Sequence, residues 1–133
     1  LVDLPGYGFA KRSKTERKSW GPLLESYLQG RPTLRAVVIL VDARRGIEDD
    51  DLQLVDFCKA PRPGNAPLTI IVVATKLDLL PKAKRKPTLA SIQKAAGTRV
   101  IGFSAETTDG RLDVWQAIDR LFRAADEPSG ASA

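Results

Sequence analysis

The sequence predicts an α/β fold in which three short parallel strands alternate with amphipathic helices. Three apolar, β-branched segments have the length of buried strands: Ala36–Asp42, Leu68–Thr75 and Arg99–Ser104. Helical patterns lie between them, and this alternation is typical of parallel sheets with right-handed crossovers. A length of 133 residues favours a single domain.

Apolar residues recur at helical spacing in four segments. The first runs from Trp20 to Leu28 and should end near Gly30, and Pro22 within it predicts a kink or a late helix start. An acidic run, Glu48–Asp51, precedes the second and suits a helix N-terminus. The second segment has its apolar residues at Leu52, Val55 and Cys58. The third has them at Leu89, Ile92 and Ala96 and should end at Gly97. The fourth has them at Val114, Ile118, Leu121 and Phe122, with Trp115 beside them.

The composition excludes several classes of site. There is no histidine and only one cysteine, Cys58, so His-based catalytic triads, His or Cys/His metal sites and an internal disulfide are excluded. No apolar stretch has the ~18 residues that a membrane span requires. We therefore expect a cytoplasmic protein with no membrane partner and no disulfide partner.

The segments that follow the expected strands contain the residues with the most informative chemistry. They are Asp3-Leu4-Pro5-Gly6, Thr75-Lys76-Leu77-Asp78 and Phe103-Ser104-Ala105. In open α/β sheets, ligands bind outside the carboxyl ends of the strands. Each segment alone also fits a simpler structure: a tight turn, a surface Lys-Asp pair at a helix start, or a strand that ends in small residues.

Together, in this order and spacing, the three segments resemble motifs of GTP-binding G domains. The segment Asp3–Lys11 (DLPGYGFAK) is similar to the EngB (YihA/YsxC) GTPases of the TrmE–Era–EngA–EngB group, and the resemblance extends to about Arg123. It implies a partial P-loop G domain, a Ras-like three-layer α/β/α structure with a mostly parallel sheet. That partial domain would lack the phosphate-loop strand and switch I.

The resemblance also implies a site for GTP or GDP with Mg²⁺. Asp3 would hold a water of the Mg²⁺ shell, and Gly6 would bring its backbone N–H to the γ-phosphate. Asp78 would accept the N1–H and N2–H₂ groups of guanine, while Lys76 would lay its stem over the base. The Ala105 N–H would bind guanine O6. The full expected set is Asp3, Leu4, Pro5, Gly6, Thr75, Lys76, Leu77, Asp78, Phe103, Ser104 and Ala105.

The 133 residues contain no phosphate-binding loop of the form G-x-x-x-x-G-K-[ST], because none of the ten glycines precedes a lysine. With no Met in the chain and a start that looks like a strand end, we expect the loop to lie upstream of Leu1. Nucleotide binding would then be impaired. The strand Ala36–Asp42 would also become an exposed apolar edge, which predicts aggregation or partial folding. Tyr7 stands where Ras-like GTPases have a water-orienting Gln, so we assign no catalytic base.

Two basic runs and a net charge of +5 favour a polyanionic partner, although each run alone suits an ordinary solvated surface. We expect the second run, flanked by Pro81 and Pro87, to be a loop. The resemblance implies assembly of the large ribosomal subunit as the role, with that subunit or its RNA as partner of an intact monomer. It also suggests a link to the cell cycle and septation. The candidate RNA contacts are Lys11, Arg12, Lys14, Arg17, Lys18, Lys82, Lys84, Arg85 and Lys86.

The sequence therefore favours residues 1–125 as the C-terminal part of an EngB-type G domain, with a disordered polar tail at 126–133. Two alternatives stay open. One is a non-catalytic basic module that binds RNA or the ribosome, which the missing loop supports. The other is another GTPase of the same superfamily with a different RNA target.

Overall fold

The structure is a computed structural model that describes residues 1–4 and 14–126, with the backbone alone for residues 14–20. Its elements confirm the predicted α/β class. In chain order they are α1 (Lys14–Gly30), β1 (Ala36–Asp42), α2 (Asp49–Lys59), β2 (Thr69–Thr75), α3 (Lys82–Ala96), β3 (Val100–Gly102) and α4 (Arg111–Asp126), with a 3-10 turn at Leu77–Leu79 between β2 and α3.

The three strands form one parallel sheet in the order β1-β2-β3. In register, Asp42 lies beside Thr75, and Ala74 lies beside Gly102. The central strand β2 is buried from Ile70 to Ala74, as expected for a strand covered on both faces. The three carboxyl ends therefore meet at one edge, which is where the nucleotide motifs are expected to converge.

Helices cover both faces of the sheet and make three layers. The larger core joins Ile39 and Val72 of the sheet to Leu28 of α1, Val55 of α2 and Ile92 of α3. On the opposite face, Ile71, Val73 and Ile101 pack against α4 through Val114, Ala117 and Leu121. Burial of these apolar side chains is the main force that holds the layers together. None of the helices in the described segments has both the length and the apolar character needed to cross a membrane.

Within the described residues, β1 is an edge strand, as predicted. On the face that α4 covers for β2 and β3, Leu40 of β1 is 65% exposed and Val38 37%. Residues 1–4 form no strand, and Leu1 and Val2 are exposed. A strand requires a hydrogen-bonded neighbour, and among the described residues no strand pairs with residues 1–4, so the expected strand end at Leu1–Asp3 is not formed there.

The prediction of a loop for the second basic run is wrong, because Lys82–Lys86 forms the start of α3. Pro81 stands at the N-cap, where its missing N–H costs nothing. Pro87 lies inside the helix and removes one backbone hydrogen bond. Burial of Ile92 and Ala96 further along α3 offsets that loss, and Gly97 ends the helix in the left-handed region, as predicted.

Two helix boundaries also differ from the predictions. The backbone of α1 continues through Pro22, so the late start is wrong, and the Trp20 side chain lies outside the described residues. Helix α4 includes Asp126, which we expected to begin the tail. The rest of the expected tail, 127–133, lies outside the described residues. The acidic run does lead into α2, where the Glu48 N–H donates to Asp51 Oδ2 at 2.9 Å.

Candidate functional site

The candidate site lies at the edge where the three strands end. Backbone hydrogen bonds continue past the strands there. The Ala43 N–H donates to the Thr75 carbonyl, and the Phe103 N–H donates to the Ala74 carbonyl. The Thr75 hydroxyl also donates to the Val41 carbonyl at 3.3 Å. The segments that follow the strands are therefore fixed to one another before any ligand binds.

The turn after β2 sets the direction of two candidate side chains. Lys76 has φ 58° and ψ 35°, the left-handed region that non-glycine residues adopt rarely. The Leu77 N–H donates to the Phe103 carbonyl at 3.0 Å, and the Leu77 side chain is buried in the core. Such a conformation persists when its surroundings fix it. The turn places Lys76 on the side of β1 and Asp78 on the side of β3.

Asp78 is held by the segment after β3. The Ser104 Oγ donates to Asp78 Oδ1 at 2.7 Å, and Ser104 is completely buried. The Ser104 Oγ also accepts the Thr107 N–H, and the Ser104 N–H donates to the Asp109 carbonyl. A carboxylate has about four lone-pair sites, so this contact leaves Asp78 able to accept further donors. The arrangement fixes one carboxylate at the edge where the strands end.

A tight loop from Ser104 to Arg111 supports this contact. Gly110 has φ +78°, and a Cβ there would lie 1.8 Å from the Gly102 carbonyl oxygen. Only glycine fits so close to a neighbouring backbone. Thr108 is also left-handed, with φ 62°. Ala105, whose N–H was expected to bind guanine O6, is exposed at the start of this loop.

Three charged side chains meet on the β1 side of the site. The Arg44 guanidinium donates to both oxygens of Asp42, Nε to Oδ1 at 3.2 Å and one terminal nitrogen to Oδ2 at 2.9 Å. The Arg44 backbone N–H also donates to Oδ1 at 2.9 Å. The Lys76 Nζ lies 3.5 Å from Asp42 Oδ2. The hydrogen bonds from Arg44 hold the pKa of Asp42 well below its usual range, although partial burial opposes the shift.

The expected binding residues at the strand ends divide into two groups. Lys76 and Ala105 are exposed, and Asp78 is partly exposed. Thr75, Leu77 and Phe103 use their polar groups or apolar side chains within the protein. Ser104 contacts Asp78 rather than solvent.

The described residues support a Mg²⁺ site less well than they support a site for a base. Asp3 is exposed and Leu4 is partly buried, whereas Pro5, Gly6 and Tyr7 lie outside the described residues. Within the segments that the structure describes, no group of three carboxylate or cysteine side chains is placed to hold a metal ion. A single exposed carboxylate fits a water-mediated contact to a Mg²⁺ that is held mainly by other ligands.

The second basic run is only partly available for a partner. Lys82, Lys84 and Lys86 are exposed on the first turns of α3. Arg85 is partly buried, and its guanidinium donates to the carbonyls of Leu80 at 3.0 Å and Asp78 at 3.5 Å. Of the first run, Lys11 and Arg12 lie outside the described residues, as do the side chains of Lys14, Arg17 and Lys18.

Sequence reasoning missed the charged cluster of Asp42 and Arg44 and the requirement for Gly110. The signal for Asp42 was its place at the end of a predicted strand in the same sheet as Thr75. The signal for Gly110 was weaker, because a glycine in a loop does not by itself show which backbone lies against it.

Comparisons with known proteins find relatives that share one name. No family model matches the chain. The "Probable GTP-binding protein EngB" of Exiguobacterium sp. (strain ATCC BAA-1283 / AT1b) is 42% identical over 126 residues, which are 92% of this chain and 61% of that protein. The "Probable GTP-binding protein EngB" of Desulforapulum autotrophicum is 42% identical over 125 residues, 92% of this chain and 62% of that protein. This chain thus spans about three fifths of the length of these relatives.

Among solved structures, the apo form of the translation elongation factor SelB from Methanococcus maripaludis matches with a TM-score of 0.64. That alignment covers 100% of this chain and 27% of the elongation factor, at 21% identity, so it shows the fold alone. The described elements share the fold of the matching part of that elongation factor. The sequence similarity along nearly the whole chain is what identifies the family, and the chain belongs to the EngB family of GTP-binding proteins.

Proposed function

We propose that this chain forms the guanine-recognition side of a GTP/GDP site, as part of an EngB-type GTPase. The observation that carries the proposal is the Asp78 carboxylate, held by the buried Ser104 hydroxyl at the edge where three parallel strands end. A fixed carboxylate at this place matches the paired donors of guanine.

Base recognition follows from the chemistry of three residues. The two Asp78 oxygens accept N1–H and N2–H₂ of guanine, and adenine lacks this pair of donors. The methylene stem of Lys76, on the opposite side of the turn, covers the base with apolar surface, while its ammonium lies beside the Asp42 carboxylate at 3.5 Å. The backbone N–H of Ala105 donates to guanine O6. Together these contacts choose the base and leave the phosphates to other residues.

The phosphate side is proposed from sequence. Asp3 would hold a water ligand of a Mg²⁺ ion, which would supply neutralisation of phosphate charge when bound. Gly6 would bring its backbone N–H near the γ-phosphate, as the resemblance implies. Because the 133 residues contain no G-x-x-x-x-G-K-[ST] loop, this chain alone binds nucleotide weakly through the base. We assign no catalytic base for hydrolysis.

The test is a titration with fluorescent GDP in the presence of Mg²⁺. The chain is compared with a version lengthened at its N-terminus by about 60 residues that carry a strand, a phosphate loop and a switch segment. We expect much tighter binding by the lengthened chain, with GTP and GDP competing and ATP not. Binding of ATP as tightly as GTP by the lengthened chain would contradict guanine recognition by Asp78.

We further propose that the cellular role is assembly of the large ribosomal subunit, by a cytoplasmic monomeric protein that contacts ribosomal RNA. The exposed ammonium groups of Lys82, Lys84 and Lys86 support this, because they lie on α3 directly after the base-recognition turn. Phosphate contacts of this kind weaken as salt rises. A variant with alanine at Lys82, Lys84 and Lys86 should therefore lose affinity for large-subunit RNA mainly at low salt. An equal loss at every salt concentration would indicate a folding defect.

The same exposed lysines favour a second candidate function, a non-catalytic module that binds RNA. It differs from the first in one measurable way. If the lengthened chain binds no guanine nucleotide while both chains bind ribosomal RNA, the nucleotide motifs have no binding role and the module is the better description.

A further inference from the structure

The cluster of Asp42, Arg44 and Lys76 lies beside the proposed base site, but the family motifs used above give Asp42 and Arg44 no role. Asp42 is the last residue of β1, and its side chain is 24% exposed. Asp42 forms ion pairs with Arg44, two residues further along the chain, and with Lys76, which follows the neighbouring strand β2. The cluster therefore links the ends of β1 and β2 by charge.

Arg44 and Lys76 contact the Asp42 carboxylate in different ways. Arg44 contributes three donors, its backbone N–H and two guanidinium nitrogens, and these fix the Asp42 carboxylate in one orientation. The fixed carboxylate then offers Oδ2 to the Lys76 ammonium at 3.5 Å. A carboxylate already held in place loses little further freedom when it restrains a second cation.

Lys76 needs such a restraint. Its side chain is 57% exposed and has several rotatable bonds, so an unrestrained stem would adopt many rotamers. The left-handed backbone of Lys76 sends the stem from the end of β2 toward the end of β1. The ion pair with Asp42 holds the far end of that stem, while Asp78 stands on the opposite side of the turn with Ser104.

We infer that Asp42 is a positioning residue for guanine recognition: fixed by Arg44, it holds the Lys76 side chain in the orientation in which its stem covers the base. This inference rests on the proposed role of Lys76 in base recognition. Asp42 itself does not contact the base and affects base binding only through Lys76.

The experiment has one arm without ligand and one arm with GMP. Without ligand, NMR relaxation of the Lys76 side chain is measured in the full chain and in the Asp42→Asn variant. We expect the substitution to raise the mobility of the Lys76 side chain and to leave its backbone turn in place. The control is Asp119→Asn, which removes the same charge from an exposed pair with Arg123 on α4. Unchanged Lys76 mobility in Asp42→Asn would overturn the inference, whether or not a nucleotide binds.

With ligand, GMP affinity is measured by NMR titration in a double-mutant cycle of Asp42→Asn and Lys76→Ala. We expect Asp42→Asn to weaken GMP binding about threefold, the usual size for a partly exposed ion pair, and to have no effect in the Lys76→Ala background. The same threefold loss in both backgrounds would overturn the inference, because Asp42 would then act independently of Lys76. If the unsubstituted chain shows no guanine preference over adenine, the proposed function fails, and the ligand-free arm still decides the positioning role.

Discussion

The contact between Ser104 and Asp78 makes the most precise prediction, through the substitution Ser104→Ala. Ser104 is completely buried, and its Oγ donates to the Asp78 carboxylate at 2.7 Å. A hydrogen bond to a charged group contributes about 1.5–3 kcal/mol. The Thr107 N–H also loses its acceptor, but Thr107 is exposed and water can replace the hydroxyl. We expect unfolding free energy to fall by about 1.5–3 kcal/mol, a Tm decrease of roughly 5–10 °C.

The assay is urea unfolding followed by circular dichroism, with GMP affinity measured on the same samples. Ser91→Ala is the matched control, because Ser91 is exposed on α3 and the same change there should alter stability by less than about 0.5 kcal/mol. Loss of the Ser104 contact also frees the Asp78 carboxylate, and we expect GMP binding to weaken about tenfold. Equal stability of the two variants would refute the reasoning that this contact orients Asp78.

Three further predictions concern the pH dependence, the core and the loop. Asp42 has a pKa lowered by Arg44, so its contribution to stability is present above its unfolded pKa of ~3.9 and is lost as pH falls below that value. The difference in urea midpoint between the natural chain and Asp42→Asn should therefore narrow from pH 5 to pH 2, and a constant difference would contradict the ion pair. Burial raises the pKa of Cys58 to about 11, so its thiol should react with iodoacetamide only after unfolding, and rapid alkylation of the folded chain would contradict the described core. In thermal unfolding, Gly110→Ala should lower the unfolding free energy by more than about 2 kcal/mol. Gly64 has the same φ, but a Cβ there would meet no atom within 4 Å, so Gly64→Ala should lower it by about 1 kcal/mol. Equal losses in the two variants would contradict the tight contact with Gly102.

The sequence predicted the elements well where hydrophobic periodicity was strong. The strand Ala36–Asp42 was predicted with its observed bounds, because a continuous β-branched run between turn residues has few other structures available. The edge position of β1 among the described strands was also predicted, because the 133 residues contain no segment for the strand that the resemblance places beside it. The prediction of a loop after Pro81 was wrong because prolines at both ends of the basic run are local signals for a loop, whereas burial of Ile92 and Ala96 stabilises the helix as a whole.

The site was predicted only in part, for a physical reason. The order of the motifs indicated that Lys76, Asp78 and Ser104 would approach one another, because parallel strands end at one edge. Which side chain contacts which depends on backbone dihedrals such as the left-handed Lys76, and a pattern of residue types does not specify them. For the same reason the pairing of Asp42 with Lys76 required the structure.

The central claim is that Asp78 selects guanine, and one substitution tests it most directly. Asp78→Asn replaces one carboxylate oxygen by an amide donor, which then faces the N2 amine of guanine unfavourably and the O2 oxygen of xanthine favourably. Affinities for GDP and xanthosine diphosphate are measured on the lengthened chain with and without the substitution. We expect the variant to lose GDP affinity and to prefer the xanthine nucleotide. Unchanged preference for GDP in the variant would contradict the assignment of Asp78.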